Sequence, residues 1–151
     1  MSKQKNPPFQ NKYSDTIYVT ELNGSDFKIN GPIDVKVTKP SFQNKFGLIK
    51  FYAPWCGFCK NMVEDLKFLG KGLKNHNFMI GAVNLDNPTN KGVADAMGVR
   101  GIPVIFNMNF HGELKKMDKE TREVSGLLSN ICEFTNNSTC CIRDQNGNIK
   151  C

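Results

Sequence analysis

Cys56 and Cys59 stand two residues apart in the run Trp55-Cys-Gly-Phe-Cys59. Sulfurs at that spacing on one helical turn lie within disulfide reach. The run follows the compact apolar segment Gly47–Ala53, closed by Pro54, and precedes apolar residues at helical spacing. The pair is therefore expected where a strand hands over to a helix. A helix start presents unpaired N–H groups and the positive end of its dipole, and both favour a thiolate. Cys56 is then the attacking sulfur, and Cys59 the sulfur that resolves the mixed disulfide. The competing chemistry is half of a zinc site. That site needs two more ligands at comparable spacing. His76 and His111 are isolated, and the other four cysteines lie far along the chain. No metal and no organic cofactor is assigned.

Those four are Cys132, Cys140, Cys141 and Cys151. Asn146-Gly147, flanked by Ile142 and Ile149, has the character of a two-residue hairpin turn that could bring Cys141 near Cys151. Three readings stay open. The favoured one is a flexible tail of free thiols, or a pair that oxidises only on handling. The second is a relay exchanging disulfides with Cys56 and Cys59. The third is a metal site built from the three tail cysteines and Cys132.

The elements that must position the pair follow from hydrophobic patterning. Residues 1–15 are polar, contain Pro-Pro and read as a mobile arm. Strands are expected at Ile17–Leu22, Ile33–Val37, Gly47–Ala53, Phe78–Leu85 and Pro103–Met108, and a helical turn at Ser41–Phe46. Asn109–Gly112 turns the chain into a return strand, Glu113–Met117. Helices are expected from Cys59 to about Gly70–Gly72, at Lys91–Met97 and at Asp118–Phe134. The result is an α/β domain over residues 16–135, a central mixed sheet flanked by helices, with a tail over 136–151.

Phe51-Tyr-Ala-Pro-Trp-Cys-Gly-Phe-Cys-Lys60 resembles the thioredoxin superfamily, most closely the catalytic domain of protein disulfide isomerases. Val99-Arg-Gly-Ile-Pro-Val104 is similar to the segment before that family's cis-proline, and Arg122–Ile131 resembles the start of its last helix. The resemblance runs from about Ile17 to Phe134 and implies a thioredoxin fold. It implies that Trp55 borders the active site and that Pro103 is cis, setting the Ile102 backbone to pair with an extended substrate. It implies that Arg122 approaches the resolving cysteine. Its bland alternative is a surface charge on a helix.

The chain departs from the family at two points. Lys50 stands six residues before the nucleophile, where the family has a buried carboxylate, and the usual lysine partner falls near Ala82. Both members of that pair are lost or exchanged. Lys50, partly neutral through burial, could accept the proton of Cys59. The alternative, that its ammonium snorkels to solvent, is preferred at this level. The active-site helix also lacks the family's proline and is expected to be straighter.

The net charge of +6 is scattered, with no basic run and no nucleic-acid motif. The first residues lack an apolar signal core, and no stretch approaches membrane-spanning length. The expectations are a cytoplasmic monomer, or one in a particle assembled in the cytosol, with no nucleic-acid or membrane partner. The sequons at Asn23, Asn136 and Asn137 are expected to go unused. Partners are cysteine-containing protein substrates and a redox donor or acceptor protein. The activity expected is thiol–disulfide exchange, with net reduction favoured over oxidation or isomerisation. A docking module on the same fold is the other class, and two intact cysteines speak against it.

Overall fold

The structure, a computed structural model, describes residues 18–151. The expected arm at 1–15 and the first residue of the expected first strand lie outside the described residues. Strand β1 (Thr20–Leu22) leads through a 3₁₀ turn into a hairpin, β2 (Phe27–Gly31) and β3 (Asp34–Val37). Strand β4 (Phe46–Tyr52) is followed by helices α1 (Gly57–Asn61) and α2 (Val63–Leu73). Then come β5 (Phe78–Asn84), helix α3 (Lys91–Ala96), β6 (Val104–Met108), β7 (Leu114–Lys116) and helix α4 (Val124–Phe134). A small hairpin, β8 (Ile142–Arg143) and β9 (Ile149–Lys150), ends the chain.

The sheet order is β1-β5-β4-β6-β7. β4 lies at its centre, parallel to β5 and antiparallel to β6. Successive side chains of a strand point to opposite faces, so β4 feeds two cores. Leu48 and Tyr52 join Leu66, Leu69 and Leu73 of α2 and Leu127 and Ile131 of α4. Ile49 and Phe51 join Val35, Val37, Val93 and Phe106 on the side of α3 and the β2–β3 hairpin. Lys50 shares the parity of Leu48 and Tyr52 and so points under the helix that carries the cysteines.

Several expectations are corrected. The hairpin partner β2 was not foreseen, because Lys28, Ile29 and Asn30 are all exposed and the strand shows no clean alternation. The active-site helix is interrupted rather than straight. It breaks at Met62 (φ −92, ψ −7), where the Met62 N–H donates to the Cys59 carbonyl at 3.2 Å, a 3₁₀-type bond. The same carbonyl accepts from the Lys50 ammonium at 2.8 Å. A side-chain donor inserted into the helical ladder is a recognised cause of such breaks. The last helix starts at Val124 instead of Asp118. Residues 118–123 are polar and offer no face to bury, so burial begins at Val124.

The tail is docked, not flexible. Asn136 and Asn137 take left-handed backbone angles (φ 54 and 68) and reverse the chain after α4. Cys140 thereby returns to Cys132 and closes a disulfide. Cys141 pairs with Cys151 across the β8–β9 hairpin, as the turn at Asn146-Gly147 suggested. Ile149 packs against Gly72, and the Arg143 guanidinium lies 4.7 Å from the centre of the Phe68 ring. Both the free-thiol reading and the metal reading fall, because all four sulfurs are paired with each other.

Candidate active site

Strand β4 delivers the chain through Pro54 to Cys56, which caps α1. The Cys59 N–H points at the Cys56 sulfur, 3.1 Å away. A donor so aimed favours negative charge on that sulfur in the reduced form. Here the two sulfurs are joined as a disulfide. Both cysteines are nearly buried, at 6% and 1% exposure. The residues around them are not: Trp55 is 68% and Phe58 70% exposed. An apolar surface therefore surrounds a narrow access to sulfur.

The Ile102–Pro103 peptide bond is cis. The Ile102 carbonyl oxygen lies 3.9 Å from the Cys56 sulfur. Trp55 is held in place by its indole N–H, which donates to Asp86 at 3.0 Å. The structure thus brings together Cys56, Cys59, Trp55, Ile102 and Pro103. Arg122 is placed just before α4, not on it, and its guanidinium donates to the Pro103 carbonyl at 3.3 Å. Its observed partner is the loop that faces the sulfurs.

Beneath the pair lies a buried charged group. Lys50 is 0% exposed, which removes the snorkelling alternative. The register aligns Lys50 with Ala82 and Ala82 with Glu21, so Glu21 of β1 lies two strands from Lys50 on the same face. The Tyr52 hydroxyl donates to Glu21 Oε1 at 2.7 Å, while Oε2 has no hydrogen bond among the described residues. Of the two alternatives, loss or exchange, the structure shows an exchange. The carboxylate is present, on the edge strand, and the lysine occupies the central one. Burial raises the Glu21 pKa from 4.5 to about 7, opposed by Tyr52 and Lys50. Burial likewise lowers the Lys50 pKa from 10.5 to about 8, opposed by Glu21. Glu21 and Asp86 were not foreseen. An acid inside the otherwise uncharged strand Thr20–Leu22 was the available signal for Glu21.

The relay reading of the tail meets a distance problem. Gly72, under Ile149, lies near the end of α2, about 14 Å along that helix from Val63 at ~1.5 Å per helical residue. The tail disulfides thus sit at the far end of the helical layer.

The family model described as Thioredoxin matches residues 32–133. Protein disulfide-isomerase A6 homolog of Drosophila melanogaster is 37% identical over 93 residues, 62% of this chain and 19% of that protein. Protein disulfide-isomerase A3 of Gallus gallus is 37% identical over 110 residues, 66% of this chain and 21% of that protein. The chain therefore spans only about a fifth of these relatives. Among solved structures, the J-Trx1 fragment of ERdj5 superposes with a TM-score of 0.63 at 17% identity, over 83% of this chain and 55% of that one. At that identity the likeness concerns the fold alone. With the disulfide at the cap of α1 and the Ile102–Pro103 loop facing it, and with isomerase domains among the sequences it is similar to, the chain belongs to the thioredoxin family.

Proposed function

We propose that this chain exchanges disulfides with cysteine-bearing protein segments through Cys56 and Cys59, with net reduction as its direction when a dithiol donor is supplied. The observation that carries the reading is the Cys56 sulfur, set between a donating N–H at 3.1 Å and a main-chain carbonyl at 3.9 Å. The Cys56 thiolate attacks one sulfur of the substrate disulfide. A bond forms between them, and the other substrate sulfur leaves as a thiolate. Cys59 then attacks Cys56, closes the protein disulfide and releases the second substrate thiol. Two electrons and two protons pass to the substrate, and a donor dithiol must restore the pair. The main chain at Ile102 is suited to hold an extended substrate by backbone hydrogen bonds. Lys50, buried and bonded to the Cys59 carbonyl, is proposed as the group that accepts the Cys59 proton. Arg122 is proposed as a positioning residue for the Pro103 loop.

The opposite direction is favoured by one observation: the curated relatives are named isomerases. The equilibrium potential decides between the two. The oxidised fraction of Cys56–Cys59 in graded glutathione buffers, read by differential alkylation and mass spectrometry, keeps the tail pairs out of the count. A potential near about −270 mV supports reduction, and one near about −180 mV or above supports oxidation or isomerisation. A pair that never equilibrates with glutathione would remove the proposal altogether.

A further inference from the structure

A groove of about 610 Å³ opens beside Ile102 and Pro103, between the β2–β3 hairpin, the end of α3 and the edge strand β7. Its floor is apolar, with Met97, Val104, Phe106 and Leu114. One wall is Ile33, at the tip of the hairpin, which is 73% exposed. Ile33 has φ +54, an unfavourable angle for a β-branched side chain. Its N–H donates to the Ala96 carbonyl at 2.8 Å, which ties the hairpin tip to α3. An isoleucine held in a left-handed conformation and left in solvent contributes nothing to the core.

The rim is positive. Arg100, Lys115, Lys116 and Arg122 line the groove, against the single acid Glu120 among the described residues. Lys115 leans on Glu113 at 3.9 Å, and neither Arg100 nor Lys116 has an ion pair among the described residues. Ile102 and Pro103 line the groove and also face Cys56, so a chain lying across the sulfurs would run into it.

We propose that this groove selects the substrate: it takes the polypeptide flanking the target cysteine when that segment carries an apolar side chain and acidic residues. The apolar side chain rests against Ile33, and the acids face Arg100 and Lys116. The inference rests on the thiol–disulfide reading above. It adds a substrate class, since opposite charge steers encounter and registers an extended chain.

The test uses the full chain, reduced at Cys56–Cys59, and the fluorescence of its one tryptophan, Trp55, beside Cys56. Two peptide disulfides are compared, identical except for glutamates or lysines flanking the cysteine. The expected result is a rate of enzyme oxidation about tenfold or more higher for the acidic peptide at low salt, a gap that narrows as salt is added. The double variant Arg100→Glu with Lys116→Glu should reverse the preference. Ile33→Gly suits the left-handed angle, so it should fold at least as stably while slowing both apolar-bearing peptides about fivefold. Equal rates for the two peptides, or an Ile33→Gly chain that is stabilised but kinetically unaltered, would overturn the groove assignment. Ellman's reagent, too small to span the groove, reports the dithiol separately. If the wild-type chain fails to reduce it, the thiol–disulfide reading itself falls.

Discussion

Replacing Lys50 with methionine removes a buried cation while keeping most of its volume. The drop in the Lys50 pKa from 10.5 to about 8 represents roughly 3 kcal/mol held against the ammonium, at ~1.36 kcal/mol per pH unit. Methionine escapes that penalty but forfeits the charged hydrogen bond to the Cys59 carbonyl, worth roughly 1.5–3 kcal/mol. The two nearly cancel, so Lys50→Met should fold with a stability within about 2 kcal/mol of the parent. The catalytic effect should not cancel. With a pKa of about 8, roughly a tenth of Lys50 is a neutral amine at pH 7, about 300-fold more than an ordinary lysine provides. That amine is the base proposed for Cys59. Its loss should slow closure of the mixed disulfide by about 100-fold at pH 7, the lower end for a positioned base. The parent rate should rise through about pH 8 and level off, and the variant should lack that rise. Stopped-flow fluorescence of Trp55, with acid quenching to trap the mixed disulfide, measures the step. A variant whose pH–rate profile overlays the parent's would refute the role. Lys50→Arg, which cannot give up its proton at these pH values, should fail as methionine does. Its success would mean that charge alone matters.

Glu21 supplies an independent pH prediction. Its folded pKa, about 7, exceeds its ordinary 4.5, so the folded state binds this proton more tightly. The stability it contributes is full below about 4.5 and fades as pH rises through about 7, by up to roughly 3 kcal/mol. Urea titrations at several pH values between 5 and 7 should show that loss in the parent and not in Glu21→Gln. Changing Cys141 and Cys151 to serine should cost about 2–3 kcal/mol through a short lost loop. It should expose the amides of residues 142–150 to hydrogen exchange and leave the Cys56–Cys59 potential in place. Gly70 lies inside α2, where an added Cβ would collide with the Tyr18 carbonyl. Gly70→Ala should lower stability by about 2 kcal/mol in spite of alanine's better helix propensity, a loss visible by thermal unfolding.

The parts of the site carried by local runs were legible in the sequence. Trp55, Cys56 and Cys59 sit in one short stretch, and Ile102-Pro103 in another, so their types and spacing carry the assignment. Of the buried charges, Lys50 stood out by its place six residues before Cys56, but Glu21 did not, because it meets Lys50 only through the registers of β1 on β5 and β5 on β4. No sequence spacing encodes two successive strand alignments. The interruption at Met62 escaped for the same reason, since its cause is a lysine from the sheet below rather than a residue of the helix. The Cys141–Cys151 pair could be foreseen from the turn between them. The Cys132–Cys140 pair depends on two asparagines adopting left-handed angles in succession, which composition suggests only weakly.

Strand β1 is three residues long and, among the described residues, lies at the sheet's edge and pairs only with β5. Short edge elements open locally far more often than a domain unfolds. Each such fraying event would carry Glu21 away from Lys50 and admit water to a lysine otherwise sealed beneath Cys59. The proton chemistry at the centre of the molecule is thus coupled to breathing at its margin. Whatever pins or loosens β1 resets the protonation of Lys50 without touching a sulfur.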